Sequence, residues 1–349
     1  MNISLTKTVR KLRAKWSSKR FKGLQSDSTG KLPALIAYLP DKNQGWILYF
    51  LWRDMGVELS QYPRLKHGIA GRIDDLIPYC RDCDLYVFVM LPGPLEQLIG
   101  SGFPPERIIY YHTHVRLGRA IDKLDCLFAV LVLNRFECEL MSMFKVASER
   151  LHIFPAGYDE TLFHEDKAVK PEIDVLFVGR YRKGVDGYYH KRKRYKFQVD
   201  LANQLVSVGL RVCILGGDWD VCEYPLDSRI QVLDLPHLEY GTIYRKSRLV
   251  CSVASQEGGP VSFLEGMACG CLMLSTPTGF ITDVDGEVNG CWTLPIRADA
   301  QYWQDRVQAI LASDSDRHQS MMRERQSYLL QARFSSLSEQ LVHLCWPEY

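Results

Sequence analysis

One segment in the C-terminal half, with the pattern of a strand, a glycine turn and a helix, constrains the fold of this chain most. The apolar run 248–254 has the length and composition of a buried strand. Gly258 and Gly259 interrupt the run, and Pro260 suits the first turn of a helix, where a missing amide proton costs nothing. We therefore predict a helix over residues 261–269 that follows the strand directly.

The amino end of this predicted helix is suited to bind an anion. The amides of Val261 and Ser262 have no partner within the helix, and they face the carboxyl end of the strand. The helix dipole adds to their effect, so both favour a phosphate group. We predict that Pro260, Val261 and Ser262 line such a site together with the backbone of Gly258 and Gly259.

Two glutamates frame this turn, Glu257 before it and Glu265 within the helix. Glu265 can accept two hydrogen bonds from a vicinal diol such as a ribose, and Glu257 can meet a group on the outer side of the phosphate. The pattern therefore fits a nucleotide sugar. In the alternative interpretation, Glu257 caps the helix and Glu265 is solvated.

The pattern along the whole chain predicts two α/β halves. Its 349 residues allow two domains of ordinary size, and a 46% hydrophobic and 24% charged composition is that of a globular protein. The predicted strands are 33–39, 84–90, 107–111, 124–133, 151–154, 173–178, 211–215, 230–233, 248–254 and 271–275. The predicted helices include 46–55, 195–208, 240–246 and 300–331. This alternation indicates parallel sheets covered on both faces.

The predicted fold class is thus α/β with two facing Rossmann-like domains and the active site in the cleft between them. A linker is expected within residues 160–172, which are rich in charge and contain a proline. We place an N-terminal domain at 27–165, a C-terminal domain at 166–330, and a final segment at 331–349 that can pack back on the first domain. An open parallel sheet binds ligands at the carboxyl ends of its strands.

Several polar residues fall at such strand ends. His112 follows the third predicted strand, and Gly179 and Arg180 follow the strand 173–178. Glu257 follows the strand 248–254. The shared position favours one ligand site built from all of them.

The first 26 residues differ in charge from the rest of the chain. They carry eight basic residues and no acidic one, whereas the net charge of the whole chain is only +2. The apolar residues that fall on one face of a helix are Leu5, Val9, Leu12 and Trp16. Residues 5–22 therefore suit an anionic membrane surface, with a disordered, solvated tail as the alternative.

Other features restrict the class of protein. Eleven scattered cysteines, several of them in apolar runs, indicate a reducing compartment, and we expect a cytoplasmic protein that can be peripheral on the inner face of the membrane. The basic run 190–194 lacks the interleaved aromatic residues of a nucleic-acid site, so we expect no nucleic-acid partner. No run of 18 apolar residues is present.

Three stretches resemble the group 1 (family 4) retaining glycosyltransferases of GT-B fold. They are 154–163 (FPAGYDETLF), 178–184 (VGRYRKG) and 257–290, which begins EGGPVSFLEGMACG. The resemblance implies transfer of a sugar from a nucleoside-diphosphate donor to a hydroxyl acceptor, with a glycan or lipid-linked molecule as the acceptor. It implies polysaccharide, glycan or glycolipid synthesis, and neither a metal nor another cofactor.

The resemblance also implies roles for individual residues. Arg180 and Lys183, after Gly179, would neutralise the diphosphate, and Glu265 would bind the ribose. Glu257 would hold hydroxyls of the donor sugar together with the Gly258 and Gly259 backbone. His112 would contact the donor sugar from the N-terminal domain.

Some alternatives stay open at this stage. Lys191 or Lys193 can take the place of Lys183 in the phosphate clamp, because an insertion precedes the helix at 195–208. A non-catalytic nucleotide-sugar-binding or coat-assembly protein of the same fold remains the functional alternative.

Two further enzyme classes have weaker support. A metal-dependent glycosyltransferase needs an Asp-x-Asp ligand pair, and the chain contains four candidates, Asp82/Asp84, Asp218/Asp220, Asp283/Asp285 and Asp314/Asp316. A nicotinamide dehydrogenase would use the sequence Gly216-Gly217-Asp218, but the Gly-x-Gly-x-x-Gly fingerprint is absent there.

Overall fold

The computed structural model describes residues 30–40, 47–113, 118–184, 187–286, 289–313 and 325–349. The predicted basic arm and its membrane-binding face lie outside this part of the chain, as does the Asp314/Asp316 pair. Contacts divide the chain into two units. Unit 1 comprises residues up to Phe154 together with Phe334–Tyr349, and unit 2 is Pro155–Arg333.

Unit 1 is built on one parallel sheet of six strands. Its strands are β1 (Leu32–Tyr38), β2 (Lys66–Ala70), β3 (Cys83–Val89), β4 (Ile108–His112), β5 (Ala129–Val132) and β6 (Leu151–Ile153). Its helices are α1 (Ile47–Leu59), α2 (Ile77–Asp82), α3 (Pro92–Gly100), α4 (Arg135–Met143) and, from the C-terminal end of the chain, α12 (Phe334–Cys345). The strand order is β2-β1-β3-β4-β5-β6.

Unit 2 repeats this design. Its strands are β7 (Ile173–Val178), β8 (Val212–Leu215), β9 (Gln231–Leu233), β10 (Ser247–Ser252), β11 (Leu272–Ser275) and β12 (Cys291–Thr293). Its helices are α5 (Gly187–Lys193), α6 (Tyr195–Ser207), α7 (Tyr240–Arg245), α8 (Val261–Ala268), α9 (Ile281–Val284), α10 (Ala300–Leu311) and α11 (Gln326–Gln331).

The strand order of unit 2 locates its ligand crevice. The order is β12-β11-β10-β7-β8-β9, and every pairing is parallel. The direction of winding reverses between β7 and β10, and an open α/β sheet binds its ligand at the carboxyl ends of the strands on either side of such a point. The central strands are apolar throughout, and β8, for example, is fully buried. Such strands occur in parallel sheets whose two faces are both covered by helices.

The predicted α/β class with two Rossmann-like halves is confirmed. Two strands were not predicted: β2 is half-exposed and contains Lys66, His67 and Gly68, and β12 has only three residues. The run 124–133 was wrong as one strand, because its first part is a 3₁₀ turn that ends at Cys126.

The division between the units lies before the charged stretch that was expected to hold it. The amide of Phe154 donates to the carbonyl of Val132 in unit 1, whereas Tyr158 pairs with Arg333 in unit 2. The chain returns to unit 1 at Phe334, and the Ser338 hydroxyl in α12 donates to the Met55 carbonyl at 3.2 Å. No described helix is long and apolar enough to cross a bilayer.

Candidate functional site

The glycine turn after β10 leads into α8 as predicted. Pro260 takes the position before the first helical residue, with φ −70° and ψ 91°, and the helix begins at Val261. No side chain of the described residues caps this end, and its first turn holds no acidic residue. The amides of Val261 and Ser262 therefore face the carboxyl edge of the sheet without a competing side-chain acceptor.

A second glycine holds this turn in place from the neighbouring strand. Gly279, after β11, has φ +56°, and a Cβ atom there would lie 2.5 Å from the carbonyl oxygen of Gly258. Both the backbone angle and the contact exclude a larger residue. The loops after β10 and β11 therefore support each other.

Glu257 is held by two cations from α5. Its Oε1 lies 2.5 Å from Nζ of Lys193, and its Oε2 lies 4.0 Å from a terminal nitrogen of Arg192. The amide of Ser255 donates to the Arg192 carbonyl at 2.7 Å, which fixes the end of α5 beside the turn. Of the three lysines proposed for the clamp, Lys193 is the one that contacts Glu257, whereas Lys183 is exposed.

The end of β7 presents Arg180 to solvent. Two glycines make this possible, because a Cβ atom on Gly216 would lie 2.5 Å from the Gly179 carbonyl oxygen. The Arg180 side chain is 61% exposed, and its Nε lies 3.4 Å from Oδ2 of Asp218. An exposed guanidinium with a weak ion pair is available to an anionic ligand. Gly216 therefore allows close packing of the loop after β8 against the end of β7. This packing explains the glycine at that position, and no dinucleotide-binding role is needed.

Glu265 lies in a hydrogen-bond network that the sequence did not predict. It is only 3% exposed. His237 Nε2 lies 2.6 Å from its Oε1, and the Tyr244 hydroxyl donates to its Oε2 at 3.0 Å. The alternative of a solvated Glu265 is therefore wrong, as is a capping role for Glu257.

The partners of Glu265 differ in burial and so in what they can do. Burial, and secondarily the Glu265 carboxylate, raise the pKa of Tyr244 well above its ordinary value, so the phenol remains a hydrogen-bond donor. The His237 side chain is 44% exposed. Its position after β9, at the carboxyl edge of the sheet, is the signal that sequence reasoning could have used.

His112, the remaining predicted site residue, belongs to unit 1. It ends β4, is 2% exposed, and its Nδ1 lies 3.2 Å from the Tyr110 hydroxyl. Its contact with a donor sugar stays a prediction. Across the described residues, no group of three or more His, Cys, Asp or Glu side chains is placed to hold a metal.

Residues 172–313, which include both glutamates and Arg180, match the family model described as "Glycosyl transferases group 1". Unit 2 carries a group 1 glycosyltransferase domain. The predicted resemblance is thereby confirmed at the level of the group, and the narrower family 4 stays a prediction. A search of curated proteins finds no match to the chain.

Solved structures confirm the GT-B fold. Sucrose-phosphate synthase from Thermosynechococcus elongatus aligns with a TM-score of 0.67 and 12% identity, over 89% of this chain and 98% of that one. Anabaena HepE in complex with UDP-glucose gives 0.63 and 11%, with 89% and 98% covered. A glycosyltransferase from Rickettsia africae gives 0.65 and 10%, with 90% and 97% covered.

Proposed function

We propose that this glycosyltransferase transfers a sugar, with retention of anomeric configuration, from a nucleoside-diphosphate donor to a hydroxyl acceptor. One observation carries the proposal. An exposed guanidinium, an uncapped helix end and a buried glutamate all lie at the carboxyl edge of the unit 2 sheet, beside the reversal between β7 and β10. These groups match a diphosphate and a ribose in charge and hydrogen bonding.

The diphosphate is assigned to Arg180, Lys193 and the first amides of α8. Negative charge grows on the leaving phosphate as the glycosidic bond breaks, so fixed cations and dipoles stabilise the transition state more than the ground state. We prefer Lys193 to Lys183 because α5 fixes Lys193 against Glu257 at 2.5 Å. An ammonium group has three donors and can contact Glu257 and a phosphate oxygen together.

The donor sugar is assigned to Glu257 and the Gly258 and Gly259 backbone, and the ribose to Glu265. A carboxylate oxygen accepts more than one hydrogen bond, so Glu265 can bind the ribose diol while keeping Tyr244. We propose that the departing phosphate takes the acceptor proton. On this view the two cations supply the positive charge, and no metal is required.

The test compares Arg180→Ala with Arg229→Ala, a matched control whose exposed guanidinium pairs with Asp227 instead. With UDP-glucose among a panel of nucleotide sugars, we expect Arg180→Ala to lower kcat about 100-fold or more and to change KM by less than about tenfold. Equal activity of the two variants would contradict the assignment. Binding without transfer or hydrolysis in the wild type would instead indicate a non-catalytic nucleotide-sugar-binding protein.

We also propose that residues 5–22 bring the enzyme to an anionic membrane where a glycan or lipid-linked acceptor is extended. The support is the charge and apolar pattern of this segment alone. Removal of residues 1–26 should abolish sedimentation with vesicles that contain phosphatidylserine, while transfer to a water-soluble acceptor continues. Unchanged sedimentation would refute the membrane role without affecting the proposed activity.

A further inference from the structure

Unit 2 contains a cavity at the opposite end of α8 from the glycine turn. It encloses about 440 Å³ between the last turn of α8, the helix α11 and the segment 158–167. Its apolar side includes Phe163, Met267 and Leu329. The volume is that of a small-molecule pocket and exceeds what a single ion fills.

Two arginines line this cavity without an acidic partner. Arg325 is only 2% exposed, and its guanidinium donates to the Cys271 carbonyl at 2.6 Å. Arg333 approaches Tyr158, but its Nε is buried and has no hydrogen-bond acceptor. Neither guanidinium forms an ion pair with a carboxylate of the residues that the structure describes.

The charged side chains of the lining sum to +1, three cations against two carboxylates. Glu160 and Glu165 lie in the same lining, and Glu165 influences Arg325 only from beyond ion-pair distance. Lys167, also in the lining, adds a third cation. Removing the Arg325 guanidinium from water without an anionic partner is costly, and the half-buried Arg333 and the exposed Lys167 add positive charge to the same lining, so the cavity favours an anion.

A purely structural role explains part of this arrangement. A cation is favourable near the C-terminal end of α8, and the bond from Arg325 to the Cys271 carbonyl fits that role. It does not account for Arg333, whose buried Nε meets no carbonyl. Arg333 therefore adds a cation to the cavity lining that the end of α8 does not require.

We infer that this cavity binds a small organic anion, with a phosphate or carboxylate head on Arg325 and Arg333 and its body against Phe163, Met267 and Leu329. Planar guanidinium groups match both head groups through paired hydrogen bonds. The inference is independent of the donor site, which lies at the other end of α8.

The experiment titrates the full-length chain with glycerol 3-phosphate and with succinate by calorimetry, with glycerol as the neutral control. We expect at least one anion to bind and glycerol not to bind. Arg333→Gln should weaken binding roughly tenfold or more, and Arg333→Lys should weaken it less. Arg229→Gln removes an exposed arginine outside the cavity and should leave binding unchanged.

Each of the following outcomes either supports or overturns the proposed anion site. Arg180→Ala should still bind the anion; loss of binding there would assign the anion to the strand-end site and overturn the inference. Failure of both anions to bind, or full binding by Arg333→Gln, would also overturn it. If Arg333→Gln does not fold, Lys167→Gln replaces it, since Lys167 is exposed, and a reduction of about threefold is expected.

Discussion

Glutamine in place of Glu265 separates the two roles of this buried side chain. The change keeps its size but removes its charge and replaces one of its two acceptor oxygens by an NH2 group, which donates. The carboxylate accepts from His237 at 2.6 Å and from Tyr244 at 3.0 Å in the structure. In the proposed complex it also accepts from both hydroxyls of the ribose.

The two roles predict effects of different size. Within the protein, one of the two charge-assisted hydrogen bonds becomes a neutral one and the other loses its acceptor, which should cost about 1–2 kcal/mol of unfolding free energy. For a unit of this length, that corresponds to a fall in Tm of roughly 3–6 °C. In the complex, loss of one acceptor and weakening of the other should cost a further ~2–3 kcal/mol, or about 30–150-fold in the Kd for the nucleoside diphosphate of the donor that the nucleotide-sugar panel identifies.

The control is Tyr244→Phe, which removes one bond to Glu265 but leaves its charge in place. We expect this variant to lose about 1 kcal/mol of stability while its Kd for the same nucleoside diphosphate stays within about threefold of wild type. Denaturant unfolding gives the stability of each variant, and calorimetric titration with that nucleoside diphosphate gives the affinity. Both are measured at a temperature where every variant is folded.

Two outcomes of this comparison would contradict the proposed role of Glu265. If Glu265→Gln loses stability but binds the nucleoside diphosphate as tightly as wild type, Glu265 is only a core residue that fixes His237 and Tyr244. If both variants lose affinity equally, the hydrogen-bond network rather than the carboxylate charge supports the ribose. Either result would refute the assignment of the ribose to Glu265.

Three further predictions concern other parts of the chain. Gly279→Ala should cost about 1–3 kcal/mol in denaturant unfolding, because φ is +56° and its Cβ would meet a carbonyl at 2.5 Å, whereas Gly187→Ala, in open space, should not. Asp174→Asn should cost about 1–3 kcal/mol at pH 7. Hydrogen bonds from Arg211 lower the Asp174 pKa, so its stabilisation is complete above the unfolded value of about 4 and is lost as pH falls through the lower pKa of the folded state. The difference in stability between the two proteins should therefore shrink below about pH 4 and vanish below the folded-state pKa, and a constant difference would contradict this. Cys126 is exposed, whereas the other ten cysteines are buried or half-buried. Cys126→Ser should therefore remove the fastest phase of reaction with a thiol reagent in the folded protein.

Apolar runs were sufficient to predict most of the sheet. The strand 173–178 agrees with β7 residue for residue, and the helix over 195–208 differs from α6 by one residue. Such elements are continuous apolar or amphipathic segments, so their signal is contained in neighbouring residues. β2 was missed because a half-exposed strand with lysine, histidine and glycine has no such signal.

The contacts around the two glutamates show which part of the site could not be predicted from neighbouring residues. The spacing of Glu257 and Glu265 follows from one helix, and their placement beside a glycine turn was predicted from the sequence. Their partners come from elsewhere: Lys193 from α5, which was not predicted, and His237 from the loop after β9. These contacts join residues far apart in sequence.

The sequence by itself thus determined the strand–turn–helix units, because backbone preference and hydrophobic periodicity act over a few residues. Only the tertiary structure decided which charges meet. It placed Lys193 against Glu257, His237 and Tyr244 against Glu265, and two arginines in the lining of one cavity, neither in an ion pair with a carboxylate of the described residues. The physical reason is that strand order sets which loops share an edge of the sheet, and that order depends on burial of whole faces rather than on any local pattern.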